Sequence, residues 1–171
     1  NFFEGVLLME LVVDAEGNAA PRLNDVAFTE AEALVLHGQL ILEVVRMLCA
    51  GVVHGDLSEF NILIAADGPV IIDLPQAVDA AGNNHAQAML ARDVNNLRNY
   101  LGQYAPALLQ TEYAKEIWAL YEHGHLHPDT VLTGVYDEIL PPVDMEAVLR
   151  EIDDAREQEA LRLLRLQEQE E

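Results

Sequence analysis

The chain has 171 residues, enough for one domain with its own core, and its apolar fraction of 51% excludes a disordered composition. The formal net charge of −21 makes a surface that repels phosphate backbones, so direct nucleic-acid binding by this acidic piece is not expected. No apolar run approaches the roughly 18 residues needed to span a bilayer, and the single cysteine cannot form an internal disulfide, so no membrane and a reducing, cytoplasmic setting are expected.

The chain opens at "NFFEGVLLMELV" without Met, and is expected to begin inside a longer protein or at its first ordered residue. Residues 6–13, "VLLMELVV", form an apolar β-rich run that predicts a strand, and "DAEGN" predicts the turn that ends it. Residues 14–28 read as a loop. Thr29 then opens a capping box with Glu32, in which each side chain satisfies a free backbone N–H at the start of a helix. The helix "AEALVLHGQLILEVVRMLCA" is apolar on most sides and expected to be buried, with Gly51 as its stop. Cys49, inside this pattern, reads as a buried small hydrophobe.

"NILIA" and "PVIID" predict two short strands joined by a hairpin turn at "ADG". "LPQAVDAAGNN" is a loop. "HAQAMLARDVNNLRNYLGQY" and "PALLQTEYAKEIWALYEHG" predict amphipathic helices, the second entered by Pro106. "HLHPDTVLTGVYDEILPPV" is mostly loop, and Asp144 caps a final acidic helix over about 144–171. No repeat or linker interrupts the pattern. The expected fold is α+β, a single mainly helical domain over residues 1–171 with a small β-hairpin.

Three residues carry the chemistry. Asp56 and Asn61 flank the tight loop "HGDLSEFN", and Asp73 ends the second hairpin strand. Hairpin pairing brings Asn61 near Asp73. Two converging oxygen donors suit Mg²⁺, which prefers oxygen and keeps several waters. Asp56 would face the same space and orient, or accept a proton from, an attacking hydroxyl. Phosphoryl transfer draws on such an arrangement, because positioning and charge neutralisation supply most of its catalysis.

These motifs resemble the catalytic and metal loops of the kinase superfamily, H-x-D-x-x-x-x-N followed by D-x-G. The finer resemblance is to RIO-type atypical serine/threonine protein kinases, whose loops read H-x-D-L-S-E-[YF]-N and [IV]-D-x-[GP]-Q-A-V. "ARDVNNLRNYL" is similar to that family's "RDV-x-N" helix, and "LTG" with "VD…VL" is similar to its tail, so the likeness runs from about residue 6 to about residue 155. It implies the C-terminal lobe of a protein-kinase-like fold, beginning at a hinge strand, in an enzyme that moves the γ-phosphoryl group of ATP to a Ser or Thr hydroxyl of a protein. The implied cofactors are ATP and Mg²⁺, with Mn²⁺ as the alternative ion.

By the same resemblance, Asp56 is the catalytic aspartate, and Asn61 and Asp73 are catalytic residues that hold the metal. "LLMELV" is the hinge strand, with Met9 as gatekeeper and with the Glu10 carbonyl and Val12 N–H meeting the adenine edge. Leu63 and Ile72 form the apolar floor under the base, and Ser58 and Glu59 lie near the triphosphate and ribose. The implied partners are the N-terminal lobe of the same protein and a protein substrate. The family's association with maturation of the small ribosomal subunit makes that process a further expectation.

The chain departs from the broad kinase pattern at Pro75, where that pattern has Gly, and proline stiffens the loop. It also lacks the glycine-rich phosphate loop, the strand lysine and its partner glutamate. His54 reads as a structural loop histidine. Arg92 and Asp93 either brace the catalytic loop from the helix below or form a surface ion pair. His123, His125 and His127 with Asp129 raise a zinc reading, which alternate spacing without cysteine argues against. Trp118 and the tyrosines fall at helical spacing and read as core. Two rival functions stay open. Aminoglycoside and choline phosphotransferases share "HGDL…NIL…IID", though they lack "QAV" and "RDV-x-N". A non-catalytic, pseudokinase-like binding module would fit the missing lobe and Pro75.

Overall fold

A computed structural model describes residues 2–3, 6–7 and 10–136 of the chain. The chain divides into two units, residues 1–136 and 137–171. The acidic helix expected from Asp144 onward lies in the second, outside the described residues. The first unit is α+β, as expected. Strand β1 (Phe2–Phe3) pairs antiparallel with β2 (Val6–Leu7). Helix α1 (Glu30–Cys49) is followed by β3 (Val52–Val53), then by the hairpin β4 (Ile62–Ala65) and β5 (Gly68–Ile71), and then by β6 (Val78–Asp79), α2 (Ala86–Leu101) and α3 (Tyr113–Glu122).

The strand expected over 6–13 is shorter in the structure, because β2 ends at Leu7 and Glu10–Val12 stand outside any strand. The cause is local. Asp14 Oδ1 accepts the N–H groups of Glu16 at 3.0 Å and Asn18 at 2.8 Å, and Gly17 sits at φ 82°. The chain therefore folds back at once, and Val13 bridges Ala19 rather than extending a strand.

Helix α1 begins as its sequence demands. Glu32 N–H bonds Thr29 Oγ1 at 3.3 Å, and Thr29 N–H bonds Glu32 Oε2 at 2.8 Å, completing the capping box. The helix stops at Ala50, and Gly51 follows at φ 80°, a conformation that costs other residues about 1–2 kcal/mol. Leu36, Leu40, Val44 and Leu48 recur at helical spacing and are buried, with Ala33, His37, Ile41 and Val45 beside them. The helix is not buried on every side: Leu34 and Val35 are 42% and 64% exposed. Cys49 is exposed too, because it falls at the last turn, off the buried stripe.

Helix α2 packs on both α1 and α3, and it contributes Ala86, Leu90, Val94, Leu97 and Leu101 to the same core. Trp118 and four tyrosines pack around that core. Cutting Leu40 or Leu97 to Ala would cost about 2–5 kcal/mol. His37 lies within this core, and among the described residues its Nε2 has no hydrogen-bond partner. Burial pulls its pKa down to about 4, so the ring is neutral at physiological pH.

The helix expected over "PALLQTEYAKEIWALYEHG" is interrupted. A 3₁₀ turn covers Pro106–Gln110, Thr111 is extended, and α3 starts at Tyr113. Thr111 makes its bonds outside a continuous helix: its hydroxyl donates to Leu108 O at 2.7 Å and its carbonyl accepts from Arg98 Nη1 at 3.2 Å. The described residues after α3, 123–136, form a loop, as expected for that part of the segment. Glu116 ties that loop to α3 by accepting from Thr133 N–H and Gly134 N–H, each at 2.8 Å.

Candidate active site

The site is a loop suspended between two small sheets and a helix. β3 pairs with β6, and β4 with β5, so the 54–61 loop leaves one sheet and enters the other. The β3–β6 pair was not legible in the sequence, because each strand has only two residues. The hairpin has the expected turn, with Ala65 opposite Gly68 across Ala66–Asp67. Gly68 adopts φ 131°, which a residue with a side chain rarely reaches. β4 is bordered on its far side by the 12–22 segment: Ile64 N–H bonds Pro21 O at 2.8 Å, and Leu63 bridges Arg22.

Asp56 is exposed at the crest of the loop, and the backbone around it is held from α2. Asp93, 1% exposed, accepts Gly55 N–H through Oδ2 at 2.7 Å and Leu57 N–H through Oδ1 at 3.0 Å. Arg92 donates to the Gly55 carbonyl, and Asn96 Nδ2 donates to the Leu57 carbonyl at 3.0 Å. Both peptides flanking Asp56 are thus fixed by side chains 36 and 37 residues away in sequence, and the next peptide by Asn96, 39 residues away. Arg92 and Asp93 therefore brace the loop. Burial pushes the Asp93 carboxyl upward, while the Leu57 and Gly55 amides, His54 and Arg92 pull it down.

Asn61 is buried and closes the loop from within. Its Oδ1 accepts Ser58 N–H at 2.8 Å, and its Nδ2 donates to Asp56 O at 2.6 Å. Its own carbonyl accepts Ile72 N–H at 2.9 Å, which extends the hairpin pairing by one step. His54 is buried and structural: Nε2 meets Ile72 O at 3.1 Å, and Nδ1 accepts Asp56 N–H at 3.4 Å. The structure thus brings Asp56, Asn61 and the 72–73 step into one hydrogen-bonded assembly.

Asp73 is exposed, and it lies two residues past the end of β5 rather than within the strand. It has φ 68° and ψ 61°, the one left-handed non-glycine among the described residues. Pro75 falls in the 3₁₀ turn Leu74–Gln76 that follows, where its fixed φ suits a helical first turn.

Among the described residues no three His, Cys, Asp or Glu side chains converge on a metal position, so His123, His125, His127 and Asp129 do not form the zinc cluster weighed from sequence. The side chains of Asn61 and Asp73 carry the oxygen donors that a hard cation prefers. An amide oxygen has two lone pairs, and Ser58 N–H uses one of those on Asn61. The other stays available, and the Asp73 carboxylate is exposed, so both would be open to an ion that keeps waters in its remaining positions.

The other expected site residues are spread more widely. Met9 lies outside the described residues. Glu10 is exposed, and the half-buried Val12 uses its carbonyl to accept Ala20 N–H at 2.9 Å. Ile62, Ile64 and Ile71 turn toward the core, so strand alternation puts Leu63 and its partner Val70 on the opposite face, and Ile72 continues that row. Ser58 and Glu59 are half-buried on the loop. Glu59 lies near Tyr100, whose hydroxyl is pushed up to about 12, chiefly by burial and further by Tyr104, Glu59 and Asp25. Asn96 stood in the sequence as the asparagine of the "RDV-x-N" helix, and what the sequence did not give was its role, the bond to the Leu57 carbonyl.

A family model described as RIO domain matches residues 1–114. The chain is 40% identical over 96 residues to the RIO-type serine/threonine-protein kinase Rio1 of Haloferax volcanii, covering 56% of this chain and 31% of that protein. It is 34% identical over 105 residues to the serine/threonine-protein kinase RIO1 of Homo sapiens, covering 61% of this chain and 18% of that protein. Among solved structures it is similar to the Rio2 kinase–ADP/Mg²⁺–phosphoaspartate complex from Chaetomium thermophilum, with 28% identity, a TM-score of 0.44, and coverage of 49% of this chain and 27% of that one. The chain spans less than a third of the length of these relatives.

Proposed function

This chain belongs to the RIO domain family, whose matched relatives are named serine/threonine-protein kinases, and from that premise we propose that it supplies the acceptor-side and metal-side half of an enzyme that transfers the γ-phosphoryl group of ATP to a Ser or Thr hydroxyl of a protein. The observation that carries the reading is the pair of bonds from buried Asp93 to the amides on either side of exposed Asp56. Holding a carboxylate in water on a backbone fixed this firmly serves chemistry, since a docking surface has no need of it.

Within this reading Asp56 orients the acceptor hydroxyl and takes its proton as the oxygen attacks phosphorus. Asn61 and Asp73 would hold Mg²⁺, which would neutralise charge on the phosphate oxygens. Asn61 also sets the loop, so metal position and Asp56 position share one support. Leu63 and Ile72, on the hairpin face turned from the core, form an apolar floor suited to a purine.

The test is Asp73→Asn in the full-length protein. The substitution keeps size but removes a negative charge from the metal position. We expect loss of protein phosphorylation together with weaker Mg²⁺-dependent nucleotide binding. Near-normal turnover in the variant would overturn the metal assignment, and turnover on small alcohols in preference to proteins would replace the acceptor class.

A further inference from the structure

The Leu57–Ser58 peptide is strung between two asparagines. Its carbonyl accepts from Asn96 Nδ2 at 3.0 Å, and its N–H donates to Asn61 Oδ1 at 2.8 Å. A peptide is planar, so fixing its C=O also fixes the direction of its N–H. That N–H determines which end of the Asn61 amide turns toward Ser58. The other end, Nδ2, then meets Asp56 O at 2.6 Å. Were the plane to rotate, the Asn61 oxygen would lose the N–H that holds it, and only the Nδ2 bond to Asp56 O would be left to set the amide.

We propose that Asn96 is a positioning residue for Asn61: by holding the Leu57 carbonyl it sets the peptide that orients the Asn61 amide oxygen. The link from Asn61 to a metal rests on the functional reading above, whereas the link from Asn96 to Asn61 does not. Asn96 differs in this from Asp93 and Arg92. Arg92 grips only the Gly55 carbonyl, before Asp56, and Asp93 grips the N–H groups of Gly55 and Leu57. Asp93 thereby holds the Asp56–Leu57 peptide, whose carbonyl meets Asn61 Nδ2, and of the three only Asn96 holds the peptide whose N–H meets Asn61 Oδ1. Its neighbour Leu97 is fully buried, whereas Asn96 is half-buried on the helix face toward the loop.

The experiment is amide hydrogen exchange with side-chain amide NMR on the 171-residue chain, comparing wild type, Asn96→Leu and Asn96→Gln. Leucine keeps the volume without the donor, and glutamine keeps the donor. In Asn96→Leu the Ser58 amide should exchange about three- to tenfold faster, the scale of one net hydrogen bond, and the Asn61 side-chain NH₂ signals should shift. The Leu97 and Leu101 amides should be unchanged, and Asn96→Gln should recover most of the Ser58 protection. Unchanged Ser58 exchange in Asn96→Leu would overturn the proposal. So would an equal loss at Ser58, Leu97 and Leu101, which would mean a merely structural role.

A Mn²⁺ titration of wild type and Asp73→Asn, read by line broadening at Asn61, tests the metal reading separately. Broadening that is identical in both proteins would overturn that reading and leave the exchange result to judge Asn96 alone. Broadening in wild type that Asp73→Asn abolishes and Asn96→Leu weakens supports both.

Discussion

The two exposed carboxylates of the site are held in opposite ways. Asp56 stands on a loop fixed by Asp93, Arg92 and Asn96, all distant in sequence, and by Asn61 from inside. Asp73 stands on a turn shaped by its own backbone, with left-handed dihedrals, no side-chain cap and a proline two residues on. The first acid takes its place from the folded core, because its braces lie on a helix packed on α1 and α3. The second takes its place from the chain immediately around it. The acid assigned to the acceptor is therefore protected by global stability, and the acid assigned to the metal is set by local conformation.

The sharpest test of this difference is Asp56→Asn in the full-length protein. The loop contacts run through backbone atoms and other side chains, so the variant should keep wild-type stability. Its kcat should fall about 10²- to 10⁴-fold, the usual scale for a group that orients and deprotonates a nucleophile, with ATP affinity little changed. Single-turnover transfer and nucleotide binding measured side by side give both numbers. A large stability loss with the same fall in rate would show that Asp56 helps to hold the loop, and the contrast between the two acids would break down.

Gly55 joins the two regions. It has φ 82°, and an added Cβ would lie 2.9 Å from the carbonyl oxygen of Gln76, in the turn after Asp73, and 2.5 Å from Met89 Cε. Gly51 provides the control, since it has nearly the same φ, 80°, with nothing within 4 Å of the added atom. Gly51→Ala should cost about 1–2 kcal/mol from backbone strain alone. Gly55→Ala should cost about 3 kcal/mol, because the backbone of the turn cannot step aside as the methionine can. Urea unfolding of both variants supplies the comparison. Equal losses would mean that loop and turn are not coupled through this contact.

The contrast also explains what could be read in advance. The capping box at Thr29 and Glu32, the Gly51 stop and the hairpin turn are written in neighbouring residues, and the structure has them. The left-handed backbone at Asp73 was not visible, because aspartate permits that conformation without demanding it. The β3–β6 pair escaped notice because two residues carry no periodicity. The interruption at Thr111 was hidden because its cause is Arg98, thirteen residues earlier on another helix. The brace on the Asp56 loop could be read from Arg92 and Asp93, but Asn96, the last residue of the "RDV-x-N" pattern, has a partner that only tertiary placement supplies. Chemistry encoded locally was legible as chemistry. The polar contacts that aim it depend on tertiary placement and were only partly so.

The smallest expected effect has the opposite sign to the others. Replacing Asp73 with Gly removes a side chain from a left-handed position that costs most non-glycine residues about 1–2 kcal/mol and aspartate less, and glycine gives back about 0.5–1 kcal/mol through its freer unfolded chain. It also takes one acid from a chain of net charge −21, which eases self-repulsion. The net expectation is a gain of up to about 1 kcal/mol, a rise in Tm of about 2–4 °C for a chain of this size, together with loss of the carboxylate assigned to the metal. Asp73→Asn should leave Tm unchanged, since asparagine also visits this conformation readily. Thermal unfolding of the 171-residue chain by circular dichroism decides the matter. A Tm that falls in Asp73→Gly but holds in Asp73→Asn would mean that side-chain contacts, and not the backbone alone, keep the turn in place. A gain confined to Asp73→Gly would mean that the position trades stability for an oxygen donor, while the Asp56 loop, whose backbone is satisfied from α2, makes no such trade.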